Sequence, residues 1–232
     1  MYDKPVLTFE SVSIAYPGEA PLLRNICFQV DKGERLALVG LNGSGKTTLM
    51  MACVGLVPHT GHIYLDGISL TPKTVNTIRE NIGFLFNVPE DQLLFPEVLD
   101  DVCFGLKRTT LSKAEKQIRC EQMLHKLNIS YLKNASIHQL SHGQKQRAAL
   151  AGAMVSEPKL LLLDEPTSGL DPIARNQLIQ TLTNEKSAMI IATHDLNFAG
   201  KVCDRCLFVE NGRVDTHFSV AEIHAIWSGQ TS

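Results

Sequence analysis

Gly40-Leu-Asn-Gly-Ser-Gly-Lys-Thr47 constrains this chain's fold more than any other eight residues. It follows Arg35-Leu-Ala-Leu-Val39, an apolar run of the kind found in a strand covered on both faces, and precedes a helical run from Thr48 to Leu56. A strand, a glycine-rich turn and a helix in that order aim backbone N–H groups and a positive helix end at one point, which is an anion cradle. Gly40, Gly43 and Gly45 let the loop backbone close on phosphate oxygens, with Asn42 and Ser44 between them and Thr48 in the helix behind. Lys46 reaches the terminal phosphates, and the Thr47 hydroxyl is a ligand for Mg²⁺. A glycine-rich turn that binds no nucleotide is the plain alternative, and the flanking strand and helix weigh against it.

The rest of the chain supplies a sheet for that loop. Apolar runs recur at Ile82 to Phe86, Leu160 to Leu163 and Met189 to Ala192 with helical stretches between them, the pattern of a parallel sheet wound with helices. The first thirty residues instead alternate apolar and polar, as antiparallel strands with one wet face do. Between Phe86 and Leu160 only helices are expected, around Glu97 to Leu106, Lys113 to Leu127 and Gly143 to Val155, so a helical lobe is inserted between two strands. Ser112 with Glu115, Ser141 with Gln144 and Ser219 with Glu222 have capping-box spacing, and Asp171-Pro172 reads as an N-cap with proline at the first helical position. Cys206 to Asp215 reads as a hairpin turning on Asn211-Gly212.

Composition narrows the setting. The 232 residues are 44% hydrophobic, which suits one large domain, and no apolar stretch approaches the roughly 18 residues of a membrane span. Membrane attachment is therefore expected through a partner. With 22 Lys and Arg against 24 Asp and Glu, and no block of like charge, a nucleic-acid partner is not expected. Six scattered cysteines suit reduced thiols in a cytoplasmic chain.

Leu160-Leu-Leu-Leu-Asp164-Glu165 adds two acids at the carboxyl end of a buried strand, where open α/β sheets bind ligands. Asp164 is expected to hold Mg²⁺ through water. Glu165, pointing the other way in strand alternation, would polarise the attacking water. Ser141 as an N-cap, with Gly143 in the first turn, offers a hydroxyl, N–H groups and a dipole to another anion.

In this order the motifs resemble those of the ATP-binding cassette (ABC) ATPase subunits of membrane transporters. Gly40 to Thr47 looks like Walker A, Leu140-Ser-His-Gly-Gln144 like the ABC signature, and Asp164-Glu165 like Walker B with its catalytic glutamate. Ser168-Gly-Leu-Asp171 resembles the D-loop and Thr193-His194-Asp195 the switch-histidine loop. The resemblance implies an α/β P-loop NTPase core with a mixed sheet, an N-terminal antiparallel β subdomain and an inserted helical subdomain. The whole of 1–232 is then one domain, with 1–86 and 159–232 as the core and 87–158 as the helical part. It further implies ATP hydrolysis with Mg²⁺ and a second ATPase subunit, since one Walker A and one signature make only halves of two shared sites. His194 would contact the γ-phosphate, Tyr16 would stack on adenine, and Ser141, His142, Gly143 and Gln144 would face the partner's ATP. His142 replaces the commoner glycine.

Phe86-Asn-Val-Pro89, aligned on the proline, puts Asn87 where the family's Q-loop glutamine stands, with Gln92 a less favoured substitute. One methylene shorter, Asn87 is expected to weaken coupling between nucleotide and transmembrane partner. Pro89 to Phe95 and Val98 to Gly105 resemble the ATPases of energy-coupling factor importers for cobalt, nickel or vitamins. That implies a transmembrane coupling protein, a substrate-binding membrane protein, and a peripheral place on the cytoplasmic face of the membrane. A conventional ABC transporter is the alternative. The separation of 95 positions from Lys46 to Ser141 leaves no room for the long coiled coil of repair ATPases, and retention of Glu165 and His194 opposes an inactive module. Cys203 and Cys206 with His217 and His224 miss zinc-finger spacing. A terminal helix from Ser219 is expected to pack Ile223, Ile226 and Trp227 on the core.

Overall fold

The computed structural model describes residues 4–216 and residue 222. Two antiparallel strands, β1 (Leu7–Ile14) and β2 (Leu23–Val30), open the chain. It then lays down β3 (Arg35–Val39), turns through the glycine loop into α1 (Lys46–Cys53), and returns to the first sheet as β4 (His59–Leu65) and β5 (Ile68–Ser69). A short helix, α2 (Val75–Glu80), leads to β6 (Ile82–Leu85), after which come α3 (Val98–Phe104), α4 (Lys113–Lys126) and α5 (His142–Met154). The chain re-enters the second sheet as β7 (Leu160–Asp164), followed by α6 (Pro172–Thr183), β8 (Ala188–Ala192), α7 (Leu196–Val202), β9 (Arg205–Glu210) and β10 (Arg213–Asp215). The first sheet runs β2-β1-β4-β5. The second runs β10-β9-β3-β8-β7-β6, parallel throughout except for β10 at its edge.

This is the expected α/β architecture, and strand alternation explains how it holds together. Leu160 and Leu162 of β7 and Ile190 of β8 face the antiparallel sheet and α1, packing with Phe9, Leu49 and Met50. Leu161, Leu163 and Ile191 face the other way, among Val102, Leu150 and Leu178. Both faces of β7 and β8 are buried, which is why these strands read as unbroken apolar runs.

Differences from expectation have local causes. The helix expected from Thr48 to Leu56 spans Lys46–Cys53, because Gly45 at φ 105° is its N-cap and Gly55 at φ 64° turns the chain just beyond its end. β4, β5 and α2 were not anticipated. Asp66 and Gly67, at φ 50° and 78°, form the same kind of two-residue turn as Asn211 and Gly212, at φ 50° and 75°. The caps at Ser112, Ser141 and Asp171 are formed as their spacing requires. The helix expected from Ser219, with Ile223, Ile226 and Trp227, lies outside the described residues, as do His217 and His224.

The join between lobe and sheet is close. A Cβ on Gly83 of β6 would fall 2.1 Å from the Ala153 carbonyl oxygen of α5 and 2.7 Å from Leu161 Cδ2. Neither neighbour can yield without moving a helix end or a central strand. Gly83→Ala is expected to destabilise the fold by about 1–3 kcal/mol through overpacking. Urea unfolding measures this, and a midpoint equal to that of the parent would show that α5 is free to recede.

Candidate functional site

The carboxyl ends of β3, β7 and β8, neighbours in the sheet, bring together every polar group of the candidate centre. Gly40 leaves β3 so close to β9 that a Cβ would fall 2.4 Å from Val209 O and 2.7 Å from Ser44 Oγ. Ser44 Oγ is buried and has no hydrogen-bond partner among the described residues. Lys46, 7% exposed, folds back and donates to Gly40 O at 2.8 Å and Leu41 O at 3.1 Å. Burial lowers its pKa, while the charges of Glu165 and Asp164 push it back up.

Thr47 in the first turn of α1 donates its hydroxyl to Asp164 Oδ2 at 2.6 Å. Asp164 ends β7 and is 2% exposed; burial raises its carboxyl pKa, and the Thr47 hydrogen bond opposes the rise. A hydroxyl and a buried carboxylate side by side, next to an unpartnered serine, are an all-oxygen set suited to a hard divalent cation. The residues fit Mg²⁺ beside a bound phosphate.

Glu165 requires a correction. The strand stops at Asp164, and Glu165 takes φ 47°, so its direction is set by a left-handed turn and not by strand alternation. The turn is held by Glu165 N–H donating to Ala192 O at 2.8 Å. The carboxylate accepts from Thr193 Oγ1 at 3.2 Å and from the His194 N–H at 3.2 Å, and Oε1 lies 2.8 Å from His194 Nδ1. The glutamate is thereby joined to the end of β8, and the His194 side chain stays exposed.

Two further residues belong to this centre: Thr193, named in the switch-histidine motif without a role of its own, and Gln146, which the sequence did not single out. Thr193, fully buried, orients Glu165. Gln146 on α5, 1% exposed, donates Nε2 to Glu165 O at 3.2 Å. Gln146 lies two residues beyond the quoted signature, with no motif of its own to mark it.

At the start of α5, Ser141 accepts at Oγ from Gln144 N–H at 3.3 Å, and Gln144 Oε1 accepts from Ser141 N–H at 2.9 Å. The hydroxyl's own proton stays available to an anion, whereas the Gln144 amide is engaged in the cap and lies 3.5 Å from Tyr131 OH. His142 and Gly143 occupy the first turn. Asp171 Oδ1 caps α6, accepting from the Ile173 and Ala174 N–H groups at 2.9 and 2.8 Å. Arg175 on that helix donates to Asp195 Oδ2 at 2.7 Å, bracing the segment that carries His194.

Tyr16 stands just past β1, 40% exposed, with its hydroxyl 3.3 Å from Thr48 Oγ1. It borders a cleft of about 570 Å³ with Glu19, Arg24 and Arg213. Asn87 is exposed. Gln92 is committed elsewhere, accepting from Phe86 N–H and donating to Ala149 O, each at 3.2 Å. A larger cleft, about 810 Å³, opens beside Lys159 and Ser187 at the opposite ends of the strands, where Lys126–Glu185 and Lys159–Asp66 are closed ion pairs. Burial raises the Cys203 thiol to about 12 and the Cys206 thiol to about 11, and no metal-ligand cluster occurs among the described residues.

A glycine loop at the carboxyl edge of a parallel sheet, with a threonine and an aspartate beside it, defines a P-loop nucleotide-binding protein. The family model described as ABC transporter matches residues 23–168. An energy-coupling factor transporter ATP-binding protein of Bacillus licheniformis is 38% identical over 220 residues, covering 92% of this chain and 78% of the relative. A putative ABC transporter ATP-binding protein of Geobacter sulfurreducens is 38% identical over 200 residues, covering 86% and 80%. Among solved structures, cbiO1 of Clostridium perfringens, part of the ABC transporter complex cbiONQ, superposes with a TM-score of 0.85 at 34% identity, covering 96% and 92%. An ATP-binding cassette solved as a dimer in a post-hydrolysis state with ADP and Pi gives 0.82 at 27% identity, covering 92% and 98%. The chain belongs to the ABC transporter family, as an ATP-hydrolysing subunit.

Proposed function

We propose that this chain is the ATPase subunit of an energy-coupling factor type importer, carrying a metal ion or vitamin, and that it works as a dimer around two ATP molecules. The observation that carries this is the convergence of Lys46, Thr47, Asp164, Glu165 and His194 at the ends of three adjacent strands. The likeness to an energy-coupling factor ATPase and to cbiO1 supports the subfamily.

Each residue then has a role set by its place. Gly40, Asn42, Gly43, Ser44, Gly45 and Thr48 line the phosphates, and Tyr16 stacks on adenine. Lys46 exchanges the loop carbonyls for the terminal phosphate oxygens. Thr47 and, through water, Asp164 would hold Mg²⁺, which when bound would offset phosphate charge. Glu165 takes a proton from the attacking water, which His194 helps to orient. Ser141, His142, Gly143 and Gln144 face the nucleotide of a second subunit, homo- or heteromeric, and Asp171 fixes the D-loop between the two sites. The 87–158 segment meets a transmembrane coupling protein, with a substrate-binding membrane protein beside it and the chain peripheral on the cytoplasmic face. No helix among the described residues is long and apolar enough to cross a membrane, which accords with attachment through partners.

Co-purification with neighbouring membrane proteins, followed by transport and ATPase assays, tests this. Failure to recover any membrane partner in detergent would sink the importer assignment. In that complex, Asn87→Gln is expected to raise the transport obtained per ATP hydrolysed, since the amide gains the methylene it lacks relative to the family's glutamine. An unchanged ratio would mean that Asn87 has no part in coupling.

A further inference from the structure

The first turn of α5 lies against the chain's own D-loop, closely at Gly143 and with the His142 side chain 44% exposed beside it. Gly169 sits at φ 67°, and a Cβ placed there would fall 2.3 Å from His142 Cδ2. A Cβ on Gly143 would fall 2.6 Å from Gly169 O. On its other side, His142 Nδ1 lies 4.0 Å from Glu90 Oε2, while Lys145 Nζ donates to Glu90 Oε1 at 2.9 Å. Glu90 belongs to the turn that follows Asn87. One turn further along α5, Gln146 Nε2 holds Glu165 O, and Gln146 Oε1 is buried with no partner among the described residues.

One helix end therefore touches the D-loop, the turn after Asn87 and the backbone of Glu165. Close-packed contacts of this kind shift between discrete arrangements more readily than they stretch. We infer that His142 is a positioning residue. Lying against Gly169 with the Glu90 carboxylate 4.0 Å away, it links the D-loop and the Asn87 turn to the signature helix, so that a nucleotide docking on Ser141 from the partner subunit moves the backbone that carries Glu165. The inference rests on the two-subunit assembly proposed above. His142 touches no reacting atom, and its specificity lies in its match with Gly169: an imidazole at 142 and a Cβ at 169 collide, whereas a small residue at 142 leaves room.

A double-mutant cycle in the complex purified with its membrane partners tests the lock. His142→Ala is expected to lower kcat by about five- to tenfold and to bring the Hill coefficient for ATP toward 1, a coupling size usual for contacting residues. Gly169→Ala falls further, since its methyl meets the ring and alanine must adopt a left-handed φ. His142→Ala/Gly169→Ala turns over faster than Gly169→Ala alone, with a residual deficit from the backbone. If the double variant's loss equals the product of the single losses, or if His142→Ala keeps kcat and the Hill coefficient, the lock is overturned. So too if the variants only melt earlier, with kcat per folded molecule and Hill coefficient unchanged. ATP-dependent dimerisation of Glu165→Gln separates the two levels. With no dimer, the two-subunit assembly fails and the lock fails with it; with a dimer and multiplicative losses, the lock alone fails.

Discussion

Glu165→Gln is expected to lower kcat for ATP hydrolysis by about 10²–10⁴-fold, the range for loss of a positioned general base. ATP binding and the fold should survive. The carboxylate's present contacts are with Thr193 Oγ1, the His194 N–H and His194 Nδ1, and a glutamine oxygen still accepts from the first two while its amide can face the imidazole. What the amide lacks is a site for the water's proton. Because ATP then persists in the site, the variant is expected to run as an ATP-dependent dimer on size exclusion, where the parent cycles back to monomers. Single-turnover hydrolysis with a parallel melting curve decides the matter. Parent-like turnover in a folded variant would falsify the assignment of Glu165 as base and turn attention to His194, whose exposed ring is the nearest titratable neighbour.

Much of this centre was legible in the sequence because each part obeys a local rule. The loop needs glycines where the backbone closes on phosphate, β7 must be apolar on both faces and end in an acid, and Ser141 must cap a helix. Those constraints act within a few residues, so spacing records them. Gln146 and Thr193 escaped because their roles arise across the fold: Gln146 reaches Glu165 from a helix 19 positions earlier, and Thr193 reaches it from 28 positions later. Glu165 itself was assigned for the wrong geometric reason. Strand alternation placed it opposite Asp164, whereas the chain leaves the strand there and a left-handed turn directs the side chain. The hairpin at Asp66-Gly67 was readable by the rule that found Asn211-Gly212. Its second strand is only Ile68–Ser69, too short to alternate.

The position of His142 shows why a motif's departures carry information that the motif does not. A glycine at 142 would leave the D-loop contact to Gly143 alone; the imidazole adds a second point of contact, with the Glu90 carboxylate 4.0 Å away. A wider residue on the helix is accommodated by the absence of a side chain at Gly169. The two positions, 27 apart in the sequence, therefore constrain each other, and neither is interpretable by itself.

Lys46→Ala is expected to abolish measurable hydrolysis, a loss of at least about 10²–10³-fold, the cost of removing a charge preorganised toward a developing oxyanion. The effect on folding should be far smaller. The ammonium bonds two loop carbonyls, Gly40 O and Leu41 O, and burial lowers its pKa, so the charge is held at a desolvation cost that partly cancels those bonds. Truncation removes both terms together, and stability should change by no more than about 1–2 kcal/mol. The asymmetry is the test. A lysine whose task is to close the loop would, when removed, loosen the fold and lower the melting temperature in proportion to activity. One held in reserve for phosphate leaves the melting curve nearly in place while ATP affinity and turnover collapse, and ATP should then no longer raise the melting temperature of the variant as it does that of the parent. A variant that binds and hydrolyses ATP at parental rates would dissociate the glycine loop from the reaction altogether, because no other buried cation is hydrogen-bonded to that loop among the described residues.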